Sequence, residues 1–203
     1  MGRKSNIRKV TRNNSDSKDI QKLVMMDLYL RGYSPITSNF TGGGLAECDI
    51  LAVSKANMAY EFEVKISRGD FKKDFTKHKH WLFENDMPTK EYNAWKKGKR
   101  TGEKIVVAHL PNYFTFVTPN NLVKLEEIPA YAGLLYVSDD FSTLEWVRKP
   151  PKIHDHKIDE AMIRKLAHQL SCKFIFGGSY MNYMKQMQNS DNEEDTNTNL
   201  PAE

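Results

Sequence analysis

Only two cysteines, Cys48 and Cys172, occur in 203 residues. Two thiols cannot build the multiply bridged framework of a small secreted domain, so free thiols in a reducing cytosol are expected. No apolar run approaches the ~20 residues that a membrane span needs. Met1-Gly2-Arg3-Lys4-Ser5 also lacks the apolar stretch of a secretory leader. The sequence therefore reads as cytoplasmic, with no membrane attachment. A phosphate-binding loop is missing too, because Gly42-Gly43-Gly44 has no following Lys-Ser/Thr and reads as a turn. Zinc sites fail on spacing. His78 and His80 are neighbours but one on a predicted helix and point in different directions. His154 and His156 follow Pro150-Pro151 in a predicted loop that offers no thiol partner. There is no internal repeat.

What the chain does have is an uneven charge. Lys and Arg number 30 against 26 Asp and Glu. Asp191, Glu193, Glu194, Asp195 and Glu203 lie beyond Ser190 with no Lys or Arg among them, which leaves residues 1–189 at +9 when the whole chain is at +4. A basic body suits a polyanionic partner. Residues 188–203 have almost nothing to bury and read as a disordered acidic tail, and residues 1–15 as a flexible basic arm. Between them, residues 16–187 are of a size that buries one core.

Periodicity predicts the elements of that domain. Asp16 or Ser17 caps a helix over about 18–30 with Ile20, Leu23, Val24 and Leu28 among its apolar positions, ended by Gly32 and Ser34-Pro35. Strands are predicted over about 36–40, 48–54, 58–67, 105–109, 113–117, 133–137 and 144–148. One helix is predicted over 68–84, with Phe71, Phe75, His78, Trp81 and Leu82 on one side and Lys72, Lys73, Lys77 and Lys79 on the others. Residues 85–103 read as a long basic connection, with Lys96, Lys97, Lys99 and Arg100 forming a second basic cluster. A last helix is expected over about 158–174. Trp81, Trp95 and Trp146 read as packing residues rather than base-stacking platforms.

The chemistry concentrates in Cys48-Asp49-Ile50-Leu51-Ala52-Val53 and Tyr60-Glu61-Phe62-Glu63-Val64-Lys65-Ile66. The second piece alternates, placing Glu61, Glu63 and Lys65 on one face, here taken as the polar side of a half-buried strand. The short Ser54-Lys55-Ala56-Asn57 turn makes the two strands antiparallel neighbours, so Asp49 approaches Glu63 and Lys65. Asp49 and Glu63, with the carbonyl of Val64, supply the oxygen donors that Mg²⁺ or Mn²⁺ accepts. Lys65 shares their face and can orient the nucleophilic water, help deprotonate it, or neutralise developing charge. Glu61 is a supporting acid. Ser67 and Arg68, just past the strand, and Lys72, Lys73 and Lys77 on the following helix are the expected contacts to DNA phosphates. Cys48 faces away from Asp49 and reads as a structural thiol.

The order helix, strand, strand with Asp, strand with Glu-x-Lys, helix resembles the core of the PD-(D/E)xK nuclease superfamily over residues 18–84. Glu63-Val64-Lys65-Ile66-Ser67-Arg68-Gly69-Asp70-Phe71-Lys72-Lys73-Asp74 is more specifically similar to small bacterial and phage DNA-repair nucleases of the MmcB-like group. Asn112 to Val117 and Gly133 to Val137 fit that pattern. Cys48 rather than Pro precedes Asp49. The resemblance implies an α/β fold, a central mixed β-sheet flanked by helices on a restriction-endonuclease-like core. It implies metal-dependent hydrolysis of DNA in repair, recombination or phage DNA metabolism. It also implies a further acid from the first helix, for which Asp27 is best placed and Glu47 second. A homodimer would suit two-strand cleavage, although no interface is legible. The alternatives are a nuclease fold that binds nucleic acid or regulates without cutting, and a nuclease directed at RNA.

Overall fold

Helix α1 (Asn14–Leu30) buries Ile20, Val24 and Leu28, spaced four apart on one stripe. It begins earlier than predicted, so Asp16 and Ser17 lie inside it rather than at its cap. It ends where expected. Gly32 takes φ +81°, the Gly32 N–H donates to Tyr29 O (2.9 Å), and the Tyr33 N–H donates to Leu28 O (3.1 Å). That double closure needs a left-handed residue, which glycine adopts without a Cβ clash. The structure, a computed structural model, describes residues 14–42, 45–84 and 111–177. Outside these lie the expected 105–109 strand, the Lys96–Arg100 cluster, Trp95, the acidic tail and residues 1–13 of the arm. The side chains of His78 and Trp81 are likewise outside the description.

Six strands form one sheet in sequence order: β1 (Ile36–Gly42), β2 (Leu45–Val53), β3 (Ala59–Val64), β4 (Tyr113–Pro119), β5 (Ala132–Val137) and β6 (Leu144–Arg148). Pairing is antiparallel for β1–β2 and β2–β3, parallel for β3–β4 and β4–β5, and antiparallel again for β5–β6. The fold is therefore α/β, a central mixed sheet flanked by helices. On one face α1 packs against Ile50, Ala52, Phe62, Val64 and Val117. On the other, Phe114, Phe116 and Leu134 meet Phe71 and Phe83 from two short helices, α2 (Arg68–Asp74) and α3 (His78–Glu84).

The predicted single helix over 68–84 is thus two. The Thr76 N–H (3.1 Å) and hydroxyl (2.8 Å) both donate to Lys73 O, the acceptor a continuous helix would offer to the Lys77 N–H. That N–H turns to Asp74 O instead, at 2.9 Å. The helical repeat of Phe71 and Phe75 hides this local competition. A second correction concerns β3. Its alternation is real, but neither face is solvated, because α2 and α3 cover the side carrying Glu61, Glu63 and Lys65.

Near the β5–β6 pair, the Arg148 guanidinium donates to Ala132 O (2.9 and 2.7 Å), Ile128 O (3.1 Å) and Pro129 O, satisfying the carbonyls of the loop entering β5. A Cβ on Gly133 would lie 2.8 Å from the Pro150 ring and 3.0 Å from Arg148 O, so the close approach of these segments depends on glycine there. Trp146 is partly buried and packs against the core at Phe62, with ring centroids 6.4 Å apart.

The chain divides into two compact units, Met1–Asp159 and Glu160–Glu203. The second carries α4 (Glu160–Phe176), two residues later than predicted at either end. Met162, Leu166 and Cys172 are buried, and Arg164 pairs with Glu160 at 2.6 Å. Among the described residues, no helix is long and apolar enough to cross a membrane.

Candidate active site

Strands β2 and β3 stay in register only from Val53↔Ala59 to Ile50↔Phe62. Beyond that point Asp49 interrupts the ladder, its carboxylate Oδ2 accepting the Val64 N–H at 2.7 Å where a β2 backbone carbonyl would otherwise serve. The Lys65 N–H still pairs with Val117 O of β4 at 2.9 Å. The strands therefore part just where Asp49, Glu63 and Lys65 lie, on the face that α2 and α3 cover.

Around these residues is a buried ionic cluster larger than the sequence indicates. Lys65 Nζ bridges Glu63 Oε1 (2.9 Å) and Asp74 Oδ1 (2.8 Å). Lys77 Nζ does the same from the turn between α2 and α3, at 2.5 and 2.7 Å. Lys79 Nζ bridges Glu61 Oε1 (2.6 Å) and Glu63 Oε2 (3.0 Å), and lies 5.2 Å from the centre of the Phe114 ring. Side-chain exposure is at most 5% for Glu61, Glu63, Lys65, Asp74 and Lys79, against 43% for Lys77. Charges this deep are tolerable only when each finds opposite partners at hydrogen-bonding distance, since desolvation costs several kcal/mol per ion.

The electrostatics assign roles. Burial works against the Lys65 charge, but Glu63 and Asp74 outweigh it and hold its pKa above the ordinary lysine value. The same contacts favour the ammonium form of Lys65, which suits neutralising charge better than abstracting a proton. Lys79 is held higher still, burial being outweighed by Glu61 and Glu63. Burial would raise Asp74, yet His80, Lys65 and Lys77 hold it well below the usual carboxylate range. Burial pushes Glu61 up despite its Lys79 contact. Asp49, half-buried, is pushed up to about 6, first by burial and then by the Glu63 charge. Burial and then Glu61 raise the Cys48 thiol well above its usual value, which makes it a protonated structural residue.

His80 closes the inner side. Its Nε2 lies 2.7 Å from Asp74 Oδ2 and its Nδ1 lies 2.8 Å from the Tyr131 hydroxyl. Because the carboxylate can only accept, the Nε2 proton points toward Asp74. Sequence reasoning missed Asp74, Lys79 and His80 as members of this site. For Asp74 and His80 the signal is spacing: Asp74, Lys77 and His80 recur every third residue across the helix break, where the Lys77 N–H donates to Asp74 O and the His80 N–H to Lys77 O; nothing local marks Lys79.

Several expected residues lie elsewhere. Asp27 pairs with Arg31 at 2.8 Å on α1, the helix covering the opposite face of the sheet, so it supplies no acid here. Glu47 contributes only its backbone carbonyl, 3.4 Å from Lys79 Nζ. Ser67 caps α2 by accepting the Asp70 N–H at 3.1 Å. Arg68 is engaged by Glu127 (2.5 Å) and by Leu122 O (2.9 Å). Lys72 and Lys73 are exposed on α2, as a phosphate-contacting face requires. Lys77 is instead an ionic partner of Glu63. His154 and His156 are tied into a loop by the Asn112 side-chain amide, which donates to both backbone carbonyls at 2.9 and 2.8 Å.

Two cavities, of about 620 and 290 Å³, are lined by α1 residues such as Met25 and Leu28 and lie away from the carboxylates. Among the described residues, no group of three or more His, Cys, Asp or Glu is arranged to hold a metal ion. The donor set here is smaller: Asp49, Glu63 and the Val64 carbonyl, which suits an ion that keeps several waters. Four carboxylates (Asp49, Glu61, Glu63, Asp74) face three ammonium groups (Lys65, Lys77, Lys79). A hard divalent cation fits that imbalance.

Among known proteins, no family model and no curated protein matches the chain. A solved structure of a protein of unknown function from Silicibacter pomeroyi is similar at 17% identity, covering 88% of this chain and 92% of that one, with a TM-score of 0.46.

Proposed function

We propose that this protein is a divalent-metal-dependent nuclease of the PD-(D/E)xK type, with a restriction-endonuclease-like core. It hydrolyses DNA phosphodiester bonds in the cytoplasm, in repair, recombination or phage DNA metabolism. The observation that carries this reading is the convergence of Asp49, Glu63 and Lys65 where β2 and β3 part. Asp49, Glu63 and the Val64 carbonyl would hold Mg²⁺ or Mn²⁺. When bound, the ion would supply a water of lowered pKa and polarise the scissile phosphate. Lys65, kept protonated by Glu63 and Asp74, stabilises charge that develops on the phosphate oxygens. Asp74, steadied by His80, positions the Lys65 ammonium. Lys72 and Lys73 hold the DNA backbone beside the site.

A second reading has its own support. Both Glu63 oxygens are engaged by lysines, which is how a nuclease fold retired to nucleic-acid binding or regulation would neutralise its old ligand. Cleavage of labelled single-stranded, duplex, flap, junction and RNA substrates in Mg²⁺, Mn²⁺ or EDTA separates the two, with Glu63→Gln run beside the wild type. Metal-dependent cutting that vanishes in the variant is the expected result. Binding without cutting on every substrate would overturn the nuclease assignment in favour of the second reading.

A further inference from the structure

Three ammonium groups crowd Glu63, and they differ in freedom. Lys65 and Lys79 reach it from β3 and α3 with 5% and 2% of their side chains exposed. Neither can leave without stranding a buried carboxylate. Lys77 reaches it from the turn at the helix break with 43% exposed, and its charge is felt at Asp49 as well. It stands at the mouth of the acids on a flexible four-carbon stem with water on one side.

Charge balance says what happens there when a dication enters. With all seven groups charged the cluster is one negative charge in excess; a dication makes it one positive in excess; release of one ammonium restores neutrality. Only Lys77 has an exit. We propose that Lys77 is a displaceable counter-ion. It neutralises Glu63 and Asp74 in the metal-free protein, yields Glu63 to the divalent ion, and then holds a phosphate of the substrate strand. This rests on the nuclease reading above and adds a competition between lysine and metal for one carboxylate oxygen.

The test reads binding, not turnover. Mn²⁺ affinity of the full chain is measured by titration calorimetry for wild type, Lys77→Met, Lys77→Gln and Glu63→Gln. Removing a unit charge a few ångströms from the ion tightens Mn²⁺ binding by about tenfold in both Lys77 variants. With Ca²⁺ present, anisotropy of a labelled duplex across a salt series shows weaker binding and a salt slope reduced by about one. A lysine that served packing alone would leave Mn²⁺ affinity unchanged or lower it. If Glu63→Gln abolishes Mn²⁺ uptake but neither Lys77 variant tightens it, the counter-ion role is overturned and the metal site stands. A tighter ion with an unchanged salt slope overturns the phosphate contact. If the wild type takes up no Mn²⁺, the metal site falls and the competition falls with it.

Discussion

Replacing Asp49 by Asn keeps the acceptor for the Val64 N–H and removes one negative charge from the site. In the metal-free protein that exchange is stabilising at neutral pH. The folded carboxyl sits at about 6 against an ordinary 3.8, because burial and Glu63 disfavour its charge. Between those two pH values the folded state keeps a proton that the unfolded chain has released, so stability falls as pH rises from about 4 to about 6 and is level above. The gap corresponds to about 3 kcal/mol, which solvent at the half-buried mouth trims to about 2 kcal/mol. Urea denaturation in EDTA across pH 4.5 to 7.5 measures it. Asp49→Asn gains on the wild type as pH rises to 6 and holds a lead of about 2 kcal/mol beyond, roughly 4–8 °C in Tm. Saturating Mn²⁺ closes the gap by stabilising the wild type alone. A difference that stays constant across pH, or a variant less stable than wild type at pH 7.5 in EDTA, would refute the reasoning.

Other substitutions probe other parts of the site. Lys65→Gln abolishes cleavage while Mn²⁺ uptake by calorimetry persists, and a variant that cuts at the wild-type rate removes Lys65 as the catalytic cation. Lys79→Met strands Glu61 and costs about 3–5 kcal/mol in urea melts, whereas Lys79→Met with Glu61→Leu recovers most of the loss. If the double variant is no more stable than the single, the Glu61–Lys79 pair is not the source of the cost. Gly133→Ala drives a Cβ into Pro150 and Arg148 O and lowers stability by about 1–3 kcal/mol by the same assay.

The sequence was informative where one dimension is enough. Alternation over Tyr60–Ile66 and the short turn before it specify β2, β3 and their antiparallel pairing, which brings Asp49 against the end of β3 that carries Glu63. It was uninformative about what covers what. Glu61 and Glu63 read as a solvated ladder because nothing local announces that α2 and α3 lie on that face. For the same reason Lys79 reads as a surface residue although it is among the most buried. Asp27 was misplaced because a helix's stripe tells that it packs on a sheet, not on which side. The helix break escaped because Thr76 competes for a carbonyl without disturbing the apolar spacing.

Asp49's intrusion into the β2–β3 ladder has a consequence for observing the protein. An amide proton is pointed straight at this half-buried carboxylate. The Val64 N–H donates to a formal anion above about pH 6 and to a neutral acid below, and to an oxygen drained of charge once a cation shares it. Its resonance is thus a single-atom gauge of protonation and occupancy, readable without a substrate and without altering any residue of the site.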